Sequence, residues 1–83
     1  MRRPKLHSGI QVLVVDDNHD HAAGIRGIAT LDGGFDVVGI ASNADICMAM
    51  VKKYHPTVVL MDINMPDVDG ISLMQKIRKF DKM

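Results

Sequence analysis

Cysteine is almost missing from this chain: Cys47 stands alone among 83 residues. An internal disulfide is therefore excluded, and so is a zinc site built from clustered Cys and His ligands. A single cysteine in a helical apolar pattern reads as a small buried hydrophobe. That usage fits a reducing compartment, so a cytoplasmic location is expected. Charge of one sign is missing too. Ten basic side chains balance ten acidic ones, which leaves no electrostatic case for direct binding to nucleic acid or an anionic membrane. No apolar stretch approaches the length that spans a bilayer. The start, Met1-Arg2-Arg3-Pro4-Lys5, is basic but is not followed by an apolar run, so neither a secretory nor a twin-arginine signal is supported. Residues 1–9 are expected to form a flexible, solvated tail. Residues 10–83 are enough for one small domain, which buries only about 60–65% of its unfolded surface and has a thin stability margin.

What is present is a regular alternation of apolar runs and helical patterns. Gln11-Val12-Leu13-Val14-Val15 is β-branched and apolar and stops at Asp16-Asp17; it lacks alternation, so it reads as a strand covered on both faces. Asn18 to about Leu31 carries apolar residues at Ala22, Ile25, Ile28 (or Ala29) and Leu31, a helical spacing. Gly24 and Gly27 weaken that helix by about 1 kcal/mol each relative to Ala, and Asp32-Gly33-Gly34 ends it with a left-handed glycine. Phe35 to Ile40 reads as a second strand. Ser42 or Asn43 caps a second helix, Ile46 to Tyr54, with Asp45 near the positive end of its dipole; His55-Pro56 stops it. Thr57 to Met61 is a third strand ending at Asp62. Met65 to Gly70 is a loop punctuated by Pro66 and Gly70. A third helix follows from Ile71 to about Phe80, with Leu73, Met74, Ile77 and Phe80 on one face and Asp69 as cap. The order βαβαβα predicts an α/β fold, a parallel sheet with helices on its faces.

Three carboxylates stand where apolar strands end: Asp16 and Asp17 after the first, Asp62 after the third. Open parallel sheets bind ligands outside the carboxyl ends of their strands, near the point where strand order reverses. If the first and third strands are neighbours, the three groups converge. Two like charges about 4 Å apart repel by about 4 kcal/mol at an effective dielectric near 20. A proton or a cation must then relieve them. Only oxygen ligands are on offer, so Mg²⁺ is the ion expected, because it favours one or two carboxylates together with waters and phosphate oxygens. Such a site suits phosphoryl transfer to a carboxylate. Acidic residues after strands also serve as ordinary loop and cap residues.

The strings Val12-Leu13-Val14-Val15-Asp16-Asp17-Asn18 and Val58-Val59-Leu60-Met61-Asp62-Ile63-Asn64-Met65-Pro66-Asp67-Val68-Asp69-Gly70 together resemble the receiver-domain family of response regulators in two-component signalling. The resemblance runs from about Ile10 to Phe80. It implies a flavodoxin-like three-layer fold, with residues 10–83 as a partial receiver lacking the last two βα units. It also implies that Asp62 is the phosphoacceptor, and that Asp17 and Asp62 ligate Mg²⁺ directly. Asp16 would help directly or through water, and the backbone carbonyl of Asn64 would complete the protein ligands. The partner it implies is a sensor histidine kinase or phosphotransfer protein, or a small phosphodonor. The chain would then be a phosphorelay acceptor and not an enzyme with an external product. Family receivers end their fourth strand in Ser or Thr and their fifth in Lys, and neither position exists in this sequence. In the family's strand order the third strand becomes an uncharged edge, Thr57 to Met61, that invites self-association. The alternative function is therefore a non-signalling fragment acting as an interaction or structural module.

Other signals are weaker. His19, Asp20 and His21 suggest a transition-metal site, but adjacent helical residues do not share a face, so solvent exposure is expected. Gly24-Ile25-Arg26-Gly27 matches the GxxG of KH domains over four residues only. A flavin site needs an amide-rich phosphate cradle where Asp16 and Asp17 stand. A haloacid-dehalogenase-type phosphatase needs a DxD pattern that Asp16-Asp17-Asn18 does not supply.

Overall fold

The computed structural model describes residues 9–62, 64–66 and 68–80. The expected tail lies outside them apart from Gly9, as do Ile63 and Asp67 of the loop after Asp62. The elements run β1 (Ile10–Val15), α1 (His19–Asp32), β2 (Phe35–Ala41), α2 (Ala44–Tyr54), β3 (Val58–Met61) and α3 (Gly70–Phe80). The sheet is parallel with order β2-β1-β3, so the first and third strands are neighbours. The expected α/β architecture is present: three parallel strands and three helices in a flavodoxin-like arrangement. β1 is central and its Val12–Val15 run is buried, which explains why that run shows no alternation.

Helix limits follow from capping. The Asn18 side chain accepts from His21 N–H and Gly33 takes φ 76° at the end of α1. Asn43, rather than Ser42, caps α2 by accepting from Ile46 N–H, and His55 closes it in the left-handed region at φ 47°. Asp69 Oδ1 accepts from the N–H groups of Ile71 and Ser72 at the start of α3. β3 is one residue shorter than expected, although Thr57 N–H still donates to the Gln11 carbonyl.

Successive β1 residues point to opposite faces. Leu13 and Val15 join Ala41, Cys47, Val51, Met65 and Leu73 under α2 and α3; Val12 and Val14 join Ala22 under α1, with Ile25, Val37 and Ile40 against them. Val37 and Ile40 share a face despite their odd spacing because the register shifts. Val12 lies opposite Val37 and Leu13 opposite Gly39, which leaves Val38 as an extra residue.

The stripe read along α1 is only partly inward. Ala22 and Ala29 are buried, but Ile28 and Leu31 are 71% and 89% exposed. Met74 and Phe80 of α3 are exposed as well, while Leu73 is buried.

Candidate functional site

The carboxyl ends of β1 and β3 place the site. Asp16 N–H donates to the Ala41 carbonyl and Asp62 N–H to the Val15 carbonyl, both at 2.9 Å. These bonds extend the two ladders by one residue and fix both aspartates just past the strand ends. Each carboxylate is then oriented by the main chain two residues on. Asn18 N–H donates to Asp16 Oδ1 and Asn64 N–H to Asp62 Oδ1, again at 2.9 Å.

Asp16 is buried, with only 2% of its side chain exposed, and its Oδ2 pairs with His21 Nδ1. Asp16, His21 and Asp62 form one group in which a ligand atom from each lies within 4.8 Å of the others. The small hollow above them is walled by Val14, Val15, Ile25, Leu60 and Met61. Asp16 sits below the usual carboxylate range. The first cause is the Asn18 N–H, opposed by burial and aided by His21 and Asp62.

Of the residues singled out in the sequence, Asp16 and Asp62 are brought together. Asp17 is exposed and lines a neighbouring hollow with Ser42, Asn43, Asp45 and Met65. Asn64 is exposed on the loop after Asp62. The expectation for the histidine triplet needs correcting. His21 is 62% exposed, as expected, yet its ring reaches the acidic pair. His19 and Asp20 do not join that group. The available signal was the cap: with Asn18 at the helix start, the third helical residue lies over the end of β1.

The group suits a cation. Two carboxylates meet around a half-exposed imidazole in a partly apolar hollow, where an uncompensated pair of negative charges is costly. Oxygen donors from two strand ends fit a small divalent ion such as Mg²⁺.

Similarity to known proteins agrees with this architecture. The sequence profile of the response regulator receiver domain matches residues 12–83. The chain is 37% identical over 62 residues to the transcriptional regulatory protein DegU of Brevibacillus brevis, covering 75% of this chain and 26% of that protein. It is 39% identical over 70 residues to a protein-glutamate methylesterase/protein-glutamine glutaminase of Photobacterium profundum, covering 84% of this chain and 18% of that protein. Among solved structures, the signal receiver domain of NarL from Mycobacterium tuberculosis superposes with TM-score 0.80 at 29% identity, covering 88% of this chain and 59% of that one. A complex of CheX and CheY with BeF3 and Mg²⁺ from Borrelia burgdorferi gives TM-score 0.75 at 32% identity, covering 88% and 55%. The chain thus spans about a quarter or less of those curated relatives. On the strength of its profile match and its fold, this chain belongs to the response regulator receiver domain family.

Proposed function

We propose that the chain is a phosphoacceptor in a two-component phosphorelay and that Asp62 takes the phosphoryl group. The donor is a phosphohistidine on a sensor kinase or phosphotransfer protein, or a small phosphodonor. The observation that carries this reading is the meeting of Asp16 and Asp62 at the carboxyl ends of adjacent parallel strands. Asn64 N–H holds Asp62 Oδ1, so Oδ2 is the oxygen presented for attack. A bond forms from that oxygen to phosphorus, the bond from phosphorus to the donor nitrogen breaks, and its electron pair leaves on the donor imidazole. Mg²⁺ would be held by Asp16, Asp17, Asp62 and the Asn64 carbonyl, and when bound would neutralise charge on the incoming group. Asp17 would have to reach the ion from the neighbouring hollow, where it lies beside Ser42 and Asn43. No helix of the described residues is long and apolar enough to cross a membrane, and a cytoplasmic acceptor is the setting proposed. Incubation with a small phosphodonor and Mg²⁺ is expected to add one phosphoryl group by intact mass, lost in Asp62→Asn. A folded sample that gains no adduct overturns the assignment.

A second reading, a non-signalling interaction module, is favoured by one observation. Among the described residues β3 is an edge strand of the sheet, and Val58 and Leu60 line an open groove of about 290 Å³ with Ile25, Ile28, Phe35 and Val37. An uncharged edge beside an apolar groove promotes pairing between copies. Sedimentation is expected to show association that rises with concentration and is suppressed by Leu60→Lys. A concentration-independent monomer counts against it.

A further inference from the structure

We infer that His21 is a latch on the acidic mouth: its ring holds Asp16 and must swing away before that carboxylate can take Mg²⁺. This rests on the mouth being the cation site of the phosphoacceptor reading above. Asp16 Oδ2 pairs with His21 Nδ1, and Asp16 Oδ1 accepts from Asn18 N–H. Both oxygens of this buried carboxylate are therefore engaged within the chain. The ring nitrogen also lies within 4.8 Å of an Asp62 oxygen, so the imidazole stands at the space that an ion shared by the two carboxylates would use.

Only the side chain has to move. The Asn18 side chain caps α1 by accepting from His21 N–H, which holds the His21 backbone at the helix start. Asp16 is held just as firmly, because its N–H donates to the Ala41 carbonyl. The His21 side chain is 62% exposed, so rotation about its own bonds carries the ring into solvent. Exposed side chains change rotamer within nanoseconds. The latch therefore acts on affinity and not as a slow barrier to entry.

Donor chemistry decides that the ring leaves and does not join. Mg²⁺ takes oxygen ligands in a near-octahedral shell and keeps several waters. Imidazole suits softer ions. Ion and ring therefore compete for one carboxylate oxygen. Contacts made by an exposed side chain are weak, so the competition changes affinity by a small factor. The other side of the exchange is stability: without metal, His21 gives a buried carboxylate a side-chain partner.

The test is calorimetric titration of the whole chain with Mg²⁺ at one fixed pH, for wild type, His21→Leu, His21→Gln, His19→Leu and Asp62→Asn. Nitrogen-15 spectra of the imidazoles serve as a second readout. His21→Leu cannot pair with Asp16 and is expected to bind Mg²⁺ about two- to fivefold more tightly. His21→Gln keeps a donor for Asp16, and His19→Leu removes a ring outside the group, so both should stay near the wild-type affinity. Saturating Mg²⁺ should shift the His21 ring signals of the wild type and leave those of His19 in place. In chelator His21→Leu should melt below wild type, and Mg²⁺ should close that gap. If His21→Leu binds no more tightly while Mg²⁺ still depends on Asp62, the latch is wrong and the phosphoacceptor reading stands. A wild-type His21 ring whose signals stay put at saturation overturns the latch too, and that readout needs no variant to fold. An equal gain in His19→Leu also overturns it, because the pairing with Asp16 would not be the cause. If Mg²⁺ binds neither the folded wild type nor folded His21→Leu, the cation site itself is lost and both readings fail.

Discussion

Val12 and Leu13 are adjacent in β1, point to opposite faces and are both buried, but the shells around them differ. Beneath Leu13 lie Cys47 and Val51 from α2, Leu73 from α3 and Met65 from the loop after Asp62. Beneath Val12 there is one helix, α1, which contributes Ala22 and Ile25 and leaves Ile28 largely in solvent. One face is closed by two helices and a loop, the other half-closed by one. The acidic mouth sits where the two meet, with Met65 tying its loop to the closed side and His21 belonging to the helix of the open side. The site therefore draws on both faces, while most of the buried core lies on one. The closed face anchors the Asp62 loop, while the open face carries the imidazole over a smaller buried cluster.

The sharpest way to break this comparison is a pair of cavity substitutions. Leu13 is fully buried, so Leu13→Ala is expected to cost about 2–5 kcal/mol. Ile28, 71% exposed, should tolerate Ile28→Ala within about 0.5 kcal/mol. Urea unfolding of both variants measures the difference. If Ile28→Ala costs as much as Leu13→Ala, the open face is covered in solution and the asymmetry disappears.

A smaller effect, of opposite sign, sharpens it. A Cβ added at Gly24 or Gly27 of α1 meets nothing within 4 Å. Each Gly→Ala change should therefore raise stability by about 0.4–1 kcal/mol through helix propensity and reduced freedom of the unfolded chain. The gain is readable because α1 has little packing to mask it. Thermal melting of the double variant checks this, and a drop in melting temperature would mean that those faces are not open. Gly39 under α2 is the counterpart. There a Cβ would stand 2.8 Å from Met50 Sδ, so alanine should destabilise unless the methionine moves.

Much of this architecture is legible in the residues because local rules and tertiary structure agree. The run from Val12 to Val15 is apolar without alternation, and it is the central strand. Asn43, Gly33 and Asp69 mark helix ends by chemistry that needs no partner element. The chain also advertises Asp16 and Asp62, since both follow apolar runs. What could not be read depends on pairing. The extra residue Val38 exists only because β2 must place Val37 and Ile40 on one face against β1. The outward turn of Ile28 and Leu31 reflects how narrow the covered part of the α1 face is. His21 is hard to read because its neighbours in the chain are His19 and Asp20, whereas its neighbours in space come from two strand ends. Asp17 shows the converse, since its neighbour Asp16 takes the buried position and leaves it facing Ser42 and Asn43.

The smallest effect tests the closed side through the loop that joins the site to α3. Asp69 is exposed and caps that helix. Its carboxyl lies below the ordinary value of 3.8, first because Ser72 Oγ donates to it and then because the N–H groups of Ser72 and Ile71 do. A carboxyl depressed in the folded state binds protons less readily there than in the unfolded chain. Its contribution is therefore fully present well above 3.8 and is lost as pH falls through the folded value. Asp69→Asn keeps a capping side chain but cannot titrate. The stability difference between wild type and Asp69→Asn should thus be flat near neutrality and shift against wild type once pH drops below about 3.8. Denaturant curves across that range measure it. A difference that stays constant through the acid limb would mean that the charged form of Asp69 is not favoured by folding. The start of α3 would then rest on hydrogen bonds that do not need the charge and on the packing of Val68, Leu73 and Ile77.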